Sequence, residues 1–131
     1  MSLDSDFGTI ARQRGLDQKQ TLRAGDFLFR EGDDADAMYI VSRGVLRIIS
    51  GGVVYETVQV GGIVGEMAII DEGVPRSASV IAGTYAQLIR VDAGQFAALV
   101  ASDPEFALMV MRVMARRLRL MNQRYRPQGS W

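Results

Sequence analysis

Gly65-Glu66-Met67-Ala68-Ile69-Ile70-Asp71-Glu72-Gly73-Val74-Pro75-Arg76-Ser77-Ala78-Ser79-Val80 embeds a few polar side chains in an otherwise apolar stretch. A glycine opens the run Met67 to Ile70, which is of helical length, and the free N–H groups and dipole at a helix start favour an anion. Gly73 and Pro75 then set a turn, and Arg76 leaves it for a β-favouring run beginning at Ala78. The guanidinium fork matches two oxygens of one phosphate, and Ser77 adds a hydroxyl. Glu66 cannot bind a phosphate through its charge. Two readings stay open: a ligand carrying both an anion and a hydroxyl donor, as a ribose cyclic phosphate does, or a Glu66 to Arg76 salt bridge that braces the turn.

Upstream, from Gln20 to Asp92, short β-favouring runs are punctuated by glycine, the pattern of an antiparallel roll or sandwich. The runs are Phe27 to Arg30, Ala37 to Ser42, Val45 to Ser50, Val53 to Gln59, Ala78 to Ala82 and Tyr85 to Asp92. Ser50-Gly51-Gly52-Val53 predicts a tight hairpin, because paired glycines accept the positive φ angles of a primed turn. Nearer the N-terminus, Phe7, Ile10 and Ala11 fall at helical spacing within a short helix from Asp4 to Arg14.

Downstream of Asp92 the apolar period becomes helical. Asp92 with Gln95 predicts a capping box, and Phe96, Leu99 and Val100 share a face. A second helix can be capped by Ser102 or Asp103, carries Pro104 and Glu105 in its first turn, and runs to about Arg126, where Pro127 and Gly129 break it. Ala107, Met111, Met114, Leu118, Met121 and Tyr125 alternate spacings of four and three, a seam that can pack on the roll or pair with a second subunit. Beside it lie Arg112, Arg116, Arg117, Arg119, Arg124 and Arg126 with no acidic residue among them, either a solvated face or a contact to an anion.

The 131 residues suit one domain, with 48% hydrophobic and 23% charged residues and a formal net charge of zero that gives no sign of a nucleic-acid partner. No apolar run approaches a bilayer span and no signal core opens the chain, so the expected location is cytoplasmic. With no cysteine and no histidine, disulfides, thiolate metal sites and the commonest general base are excluded. Lys19 is the only lysine and sits in a polar stretch. No catalytic residue and no metal ligand is expected, and a metal enzyme of cupin type is disfavoured for lack of imidazole ligands.

At Gly65, Glu66, Ala68, Pro75, Arg76, Ala78 and the Ser79 hydroxyl the sequence resembles the phosphate-binding cassette of the cyclic-nucleotide-binding domain family. That family is found in kinase regulatory subunits, nucleotide-gated channels and catabolite-activator-type transcription factors. Ala24-Gly25-Asp26-Phe27-Leu28-Phe29-Arg30-Glu31-Gly32-Asp33 and Met38-Tyr39-Ile40-Val41 resemble its first strands, so the resemblance covers Leu22 to Leu120. It implies a mainly β fold with flanking helices: an antiparallel double-stranded β-helix, or jelly-roll-like β-roll, with a short N-terminal helix and two C-terminal helices. The last helix can lid the base. The expected organisation is an N-terminal helical segment over 1–20, the roll over 21–92 with its cassette at 65–80, C-terminal helices over 93–126 and a tail over 127–131.

Residue by residue, the resemblance implies that Arg76 pairs with the cyclic phosphate and Glu66 accepts from the ribose 2′-hydroxyl. Gly65, Met67, Ala68, Ser77 and Ala78 would supply further polar contacts from the backbone, with Pro75 shaping the turn. The base would meet Arg117, Leu120, Met121 or Arg124 on the last helix. The expected ligand is cyclic AMP, with cyclic GMP the alternative, since a hydroxyl at the position of Ser77 can assist guanine recognition. The expected partner is a second copy of the chain, paired through the C-terminal helix. A degenerate roll serving only as a dimerisation or interaction module is the competing reading.

Two departures stand out. Val60-Gly61-Gly62-Ile63-Val64 lacks the aromatic residue usual in the family before the Gly-Glu pair. The chain also ends about where a catabolite-activator-type protein begins its helix-turn-helix, so neither a DNA-binding domain nor a membrane segment is expected within it.

Overall fold

The computed structural model describes residues 6–125, with side chains as far as residue 123. Its elements run α1 (Phe7–Gln13), β1 (Lys19–Leu22), β2 (Phe27–Phe29), β3 (Ala37–Arg43), β4 (Leu46–Ser50), β5 (Val53–Val58) and β6 (Ile63–Val64), then α2 (Glu66–Ile70), β7 (Ser79–Ala82), β8 (Ala86–Asp92), α3 (Ala93–Ser102) and α4 (Pro104–Tyr125). The strands form two four-stranded sheets, ordered β1-β8-β3-β6 and β2-β7-β4-β5, with every pairing antiparallel. This is the expected β-roll.

β3 shows why the roll needs its helices. Its side chains alternate between two faces, and both faces are apolar. Ala37, Tyr39 and Val41 point into the core between the sheets, whereas Met38 and Ile40 point the other way, into a second core closed by α1, α3 and α4. β8 repeats the arrangement, with Ala86 and Leu88 inside the roll and Ile89 and Val91 against the helices. A strand buried on both faces reads as a continuous apolar run, as Met38 to Val41 does.

The local signals act as expected. Gly51 and Gly52, with φ of 60° and 78°, turn β4 into β5 in the register Ser50↔Val53. Asp92 and Gln95 form the reciprocal capping box of α3. Asp103, rather than Ser102, caps α4: its carboxylate accepts from the N–H groups of Glu105 and Phe106, while the Ser102 hydroxyl donates to Ala98 O. α1 begins later than expected, at Phe7, because Asp6 accepts from the N–H groups of Gly8 and Thr9 as its N-cap. Asp4, Ser5 and the tail from Arg126 onward lie outside the described residues.

Two strands went unmarked by apolar alternation. β1 has a single buried residue, Leu22, and β6 is two residues long, so main-chain pairing with β8 and β3 defines them. The roll therefore opens at Lys19, inside the segment expected to be helical. Among the described residues, no helix is long and apolar enough to cross a membrane.

The face of α4 that packs differs from the expected seam. Phe106, Met109, Val110, Val113 and Arg117 are buried, with Phe106 meeting Phe7 and Phe96 edge-on at 5.9 and 5.6 Å. Of the expected seam, Met111 and Leu118 are exposed, Ala107, Met114 and Met121 are half-buried, and the Tyr125 side chain lies outside the described residues. Two apolar stripes with the same spacing run side by side on this helix. The inner one ends in an arginine, so its apolar part stops at Val113.

Candidate functional site

β6 leads into Gly65, whose φ of 84° turns the chain into α2. A Cβ there would lie 2.7 Å from Arg76 Nη1 and 3.3 Å from Ala37 O, so both the backbone angle and the space require glycine. From α2 the chain loops through Gly73 and Pro75 to Arg76, where the main chain is pinned to the β2–β3 turn. Arg76 N–H donates to Asp33 O and Gly32 N–H donates to Arg76 O, each at 2.8 Å. The two stretches singled out in the sequence are thus joined backbone to backbone. The Ser79 hydroxyl accepts from Glu31 N–H at 2.9 Å on this same seam, a structural task that leaves Ser77 as the exposed hydroxyl of the turn.

One cleft gathers most of the sequence-predicted site. Gly65, Glu66, Met67, Ala68, Arg76, Ser77, Ala78 and Arg117 line it, together with Phe29, Ile48, Tyr55 and Val80. Pro75, exposed on the turn, and Leu120 and Met121, half-buried further along α4, are not among the lining residues; the Arg124 side chain lies outside the described residues. Phe29 and Tyr55 fall on expected strands but have no part in the expected site. β2 and β5 show no clean alternation, and it is packing against the core of the roll that turns these aromatic rings inward.

Glu66 and Arg76 do not pair with each other. Glu66, 1% exposed, accepts from Arg117 Nη1 at 2.7 Å. Arg117 also donates through Nε to Glu56 Oε1 at 2.8 Å and through Nη2 to Ile63 O at 2.6 Å, while Arg116 donates to Glu56 Oε2 at 2.7 Å. α4 is therefore clamped to β5, β6 and the cassette by one side chain, and Arg117, expected at the base, is spent on carboxylates. Burial alone would push the Arg117 guanidinium down, yet Glu66 and Glu56 outweigh it and hold its pKa above the ordinary value. Burial likewise tends to raise Glu56, but the hydrogen bonds and charges of Arg117 and Arg116 bring it below the ordinary carboxylate value.

Arg76 is held differently. Nη1 donates to Gly65 O at 3.1 Å, Nη2 donates to Ala37 O at 2.7 Å, and the guanidinium carbon stands 3.9 Å from the centroid of the Phe29 ring. It is 5% exposed and takes part in no ion pair among the described residues. Nε is buried and finds no hydrogen-bond partner among them. Burial lowers its pKa, offset only in part by Tyr39, Asp36, Glu66 and Asp33. A buried cation is ordinarily matched by a counter-charge, and this one is matched by neutral carbonyls and a ring.

Comparison with known proteins agrees with this fold. The family described as Cyclic nucleotide-binding domain matches residues 19–103. The Pycsar effector protein XpPycTIR of Xanthomonas perforans is 32% identical over 95 residues, covering 72% of this chain and 31% of that protein. The Catabolite Activator Protein of Thermus thermophilus superposes with a TM-score of 0.76 at 28% identity, covering 90% of this chain and 57% of that one. The EAL enzyme Bd1971, whose structures are described as a cAMP-bound form and a cGMP-bound form, is similar at 32% identity and a TM-score of 0.62, covering 78% and 81% of this chain and 28% and 29% of that one. The chain spans about a third of the Pycsar effector and less of the EAL enzyme.

Proposed function

Because the chain belongs to the cyclic nucleotide-binding domain family, we propose that its cleft takes cyclic AMP, with cyclic GMP as the alternative, as a cytoplasmic sensor that performs no catalysis. The observation that carries this reading is the Arg76 guanidinium, buried without a counter-charge and with Nε unsatisfied, in the same cleft as the Glu66 carboxylate. A ligand suited to both must offer an anion and a nearby hydroxyl donor. In this reading Arg76 receives the cyclic phosphate with Ser77 and the backbone of Gly65 to Ala68 and Ser77 to Ala78 around it, and Glu66 accepts from the ribose 2′-hydroxyl. Phe29, Ile48, Tyr55 and Val80 supply apolar surface for the sugar and base.

Signalling follows from the clamp. Glu66 is held by Arg117 of α4, so a nucleotide that engages Glu66 competes for what fastens that helix, and α4 re-docks toward the base. Leu108, Met111 and Leu118 stand exposed on α4, 40%, 56% and 60% accessible, and form the face proposed to meet a second copy of the chain. Hydrogen exchange of residues 107–125 with and without ligand, alongside sedimentation, tests both: unchanged exchange in a monomer refutes the lid and the dimer together.

The binding experiment is calorimetric titration of the ligand-free chain with cyclic AMP, cyclic GMP and the 2′-deoxy analogue of cyclic AMP. Saturable one-to-one binding of a cyclic nucleotide, weaker for the deoxy analogue, supports the reading. No heat with either nucleotide leaves the degenerate interaction module.

A further inference from the structure

We infer that Phe29 is a positioning residue for the anion-binding guanidinium, fixing Arg76 so that Nε is the donor kept for the ligand. This rests on the cyclic-nucleotide reading of the cleft. Contacts to Gly65 O and Ala37 O consume one N–H of each terminal nitrogen, and the guanidinium carbon lies over the Phe29 ring, 3.9 Å from its centroid. Together they leave the guanidinium little freedom to rotate. The nitrogen without a partner is Nε, on a residue that lines the cleft. An anion bound there gives a partner to the one guanidinium nitrogen that the protein leaves without one.

The strand that carries Phe29 explains how it arrives. β2 pairs with β7 through Phe27↔Ile81 and Phe29↔Val80, with a register irregularity between them. Phe27 remains 39% exposed, beneath Arg30 at 4.1 Å, whereas Phe29 turns in against Arg76 and the ring of Tyr39 at 6.4 Å. Two aromatic–arginine contacts thus sit two residues apart on one strand. The outer one is solvated and the inner one desolvated, and a cation–π contact is stronger where water is excluded.

That pair supplies its own control. Cyclic AMP and cyclic GMP are titrated calorimetrically into the wild type and into Phe29→Leu, Phe29→Tyr and Phe27→Leu, with thermal midpoints recorded. The ¹H–¹⁵N signal of the Arg76 Nε–H, assigned by its loss in Arg76→Ala, is followed in the ligand-free proteins. Phe29→Leu is expected to weaken binding about three- to thirtyfold, Phe29→Tyr to restore it, and Phe27→Leu to bind as wild type. The Nε–H signal is expected upfield, under the ring current, in the wild type and the tyrosine variant and not in the leucine variant.

Equal affinity of Phe29→Leu and wild type overturns the inference and leaves the nucleotide reading standing. Failure of the wild type to bind either nucleotide overturns both. If Phe29→Leu does not fold, the wild-type signal decides: an Nε–H without the ring-current shift overturns the inference, and a shifted one with full affinity in Phe29→Tyr supports it.

Discussion

Arg76 and Arg117 line the same cleft and are equally hidden, at 5% and 3% exposure, yet their surroundings are opposite. Arg117 meets two carboxylates and a carbonyl, so its charge is matched within the chain. Arg76 meets two carbonyls and a ring, and keeps one nitrogen, Nε, without a partner. Burying a charge is costly in either case, but only the first environment repays the cost on folding. In the proposed reading the matched arginine belongs to the framework, and the unmatched one, lining the cleft, takes its counter-charge from the ligand.

The contrast is broken most directly by removing the matched partner. Arg117→Ala leaves Glu66 buried without its cation and is expected to cost about 3 to 5 kcal/mol of stability, read as a fall in urea midpoint. Arg76→Ala should move the midpoint far less and instead weaken cyclic-nucleotide binding about ten- to hundredfold, since a charge-assisted contact contributes roughly 1.5 to 3 kcal/mol. The reverse pattern, Arg76 governing stability and Arg117 governing affinity, would overturn the division.

The matched side is sharpened by pH. With its folded pKa below the ordinary value of 4.5, Glu56 contributes stability that is fully present above that value and lost as the pH falls through its folded pKa. Glu56→Gln is therefore expected to be less stable than wild type by about 1 kcal/mol near neutrality, with the gap closing in urea titrations as the pH falls below 4.5 and through the lowered folded pKa. A gap that persists in acid would mean that the Gln variant loses packing rather than charge.

The smallest effect concerns Glu66. Glu66→Gln should narrow the preference for cyclic AMP over its 2′-deoxy analogue by less than about tenfold, since a single hydrogen bond contributes roughly 0.5 to 1.5 kcal/mol. An unaltered preference would release Glu66 from the sugar.

Much of this architecture was legible because it is local. The Gly51-Gly52 hairpin, the Asp92 and Gln95 capping box and the Gly65-Glu66 and Pro75-Arg76 elements each depend on residue type at short spacing, and the roll emerges from their order. What was not legible is pairing at a distance. Arg117 reaches Glu66 across 51 residues of chain and Glu56 across 61, so its reading as a base contact missed two carboxylates that no local spacing reveals. The inner stripe of α4 was missed for a related reason: its last member is that same arginine. Phe29 was in view among the first strands, but the register irregularity that turns it onto Arg76 is a property of pairing with β7.

The central claim is that Arg76 is held open for an anion, and the most direct test is a crystal structure of the chain grown with cyclic AMP. The account predicts a phosphate oxygen at hydrogen-bonding distance, about 3 Å, from Arg76 Nε, with the ribose 2′-hydroxyl facing Glu66. A nucleotide seated in the cleft with its phosphate on Arg117, or seated away from both arginines, would contradict it.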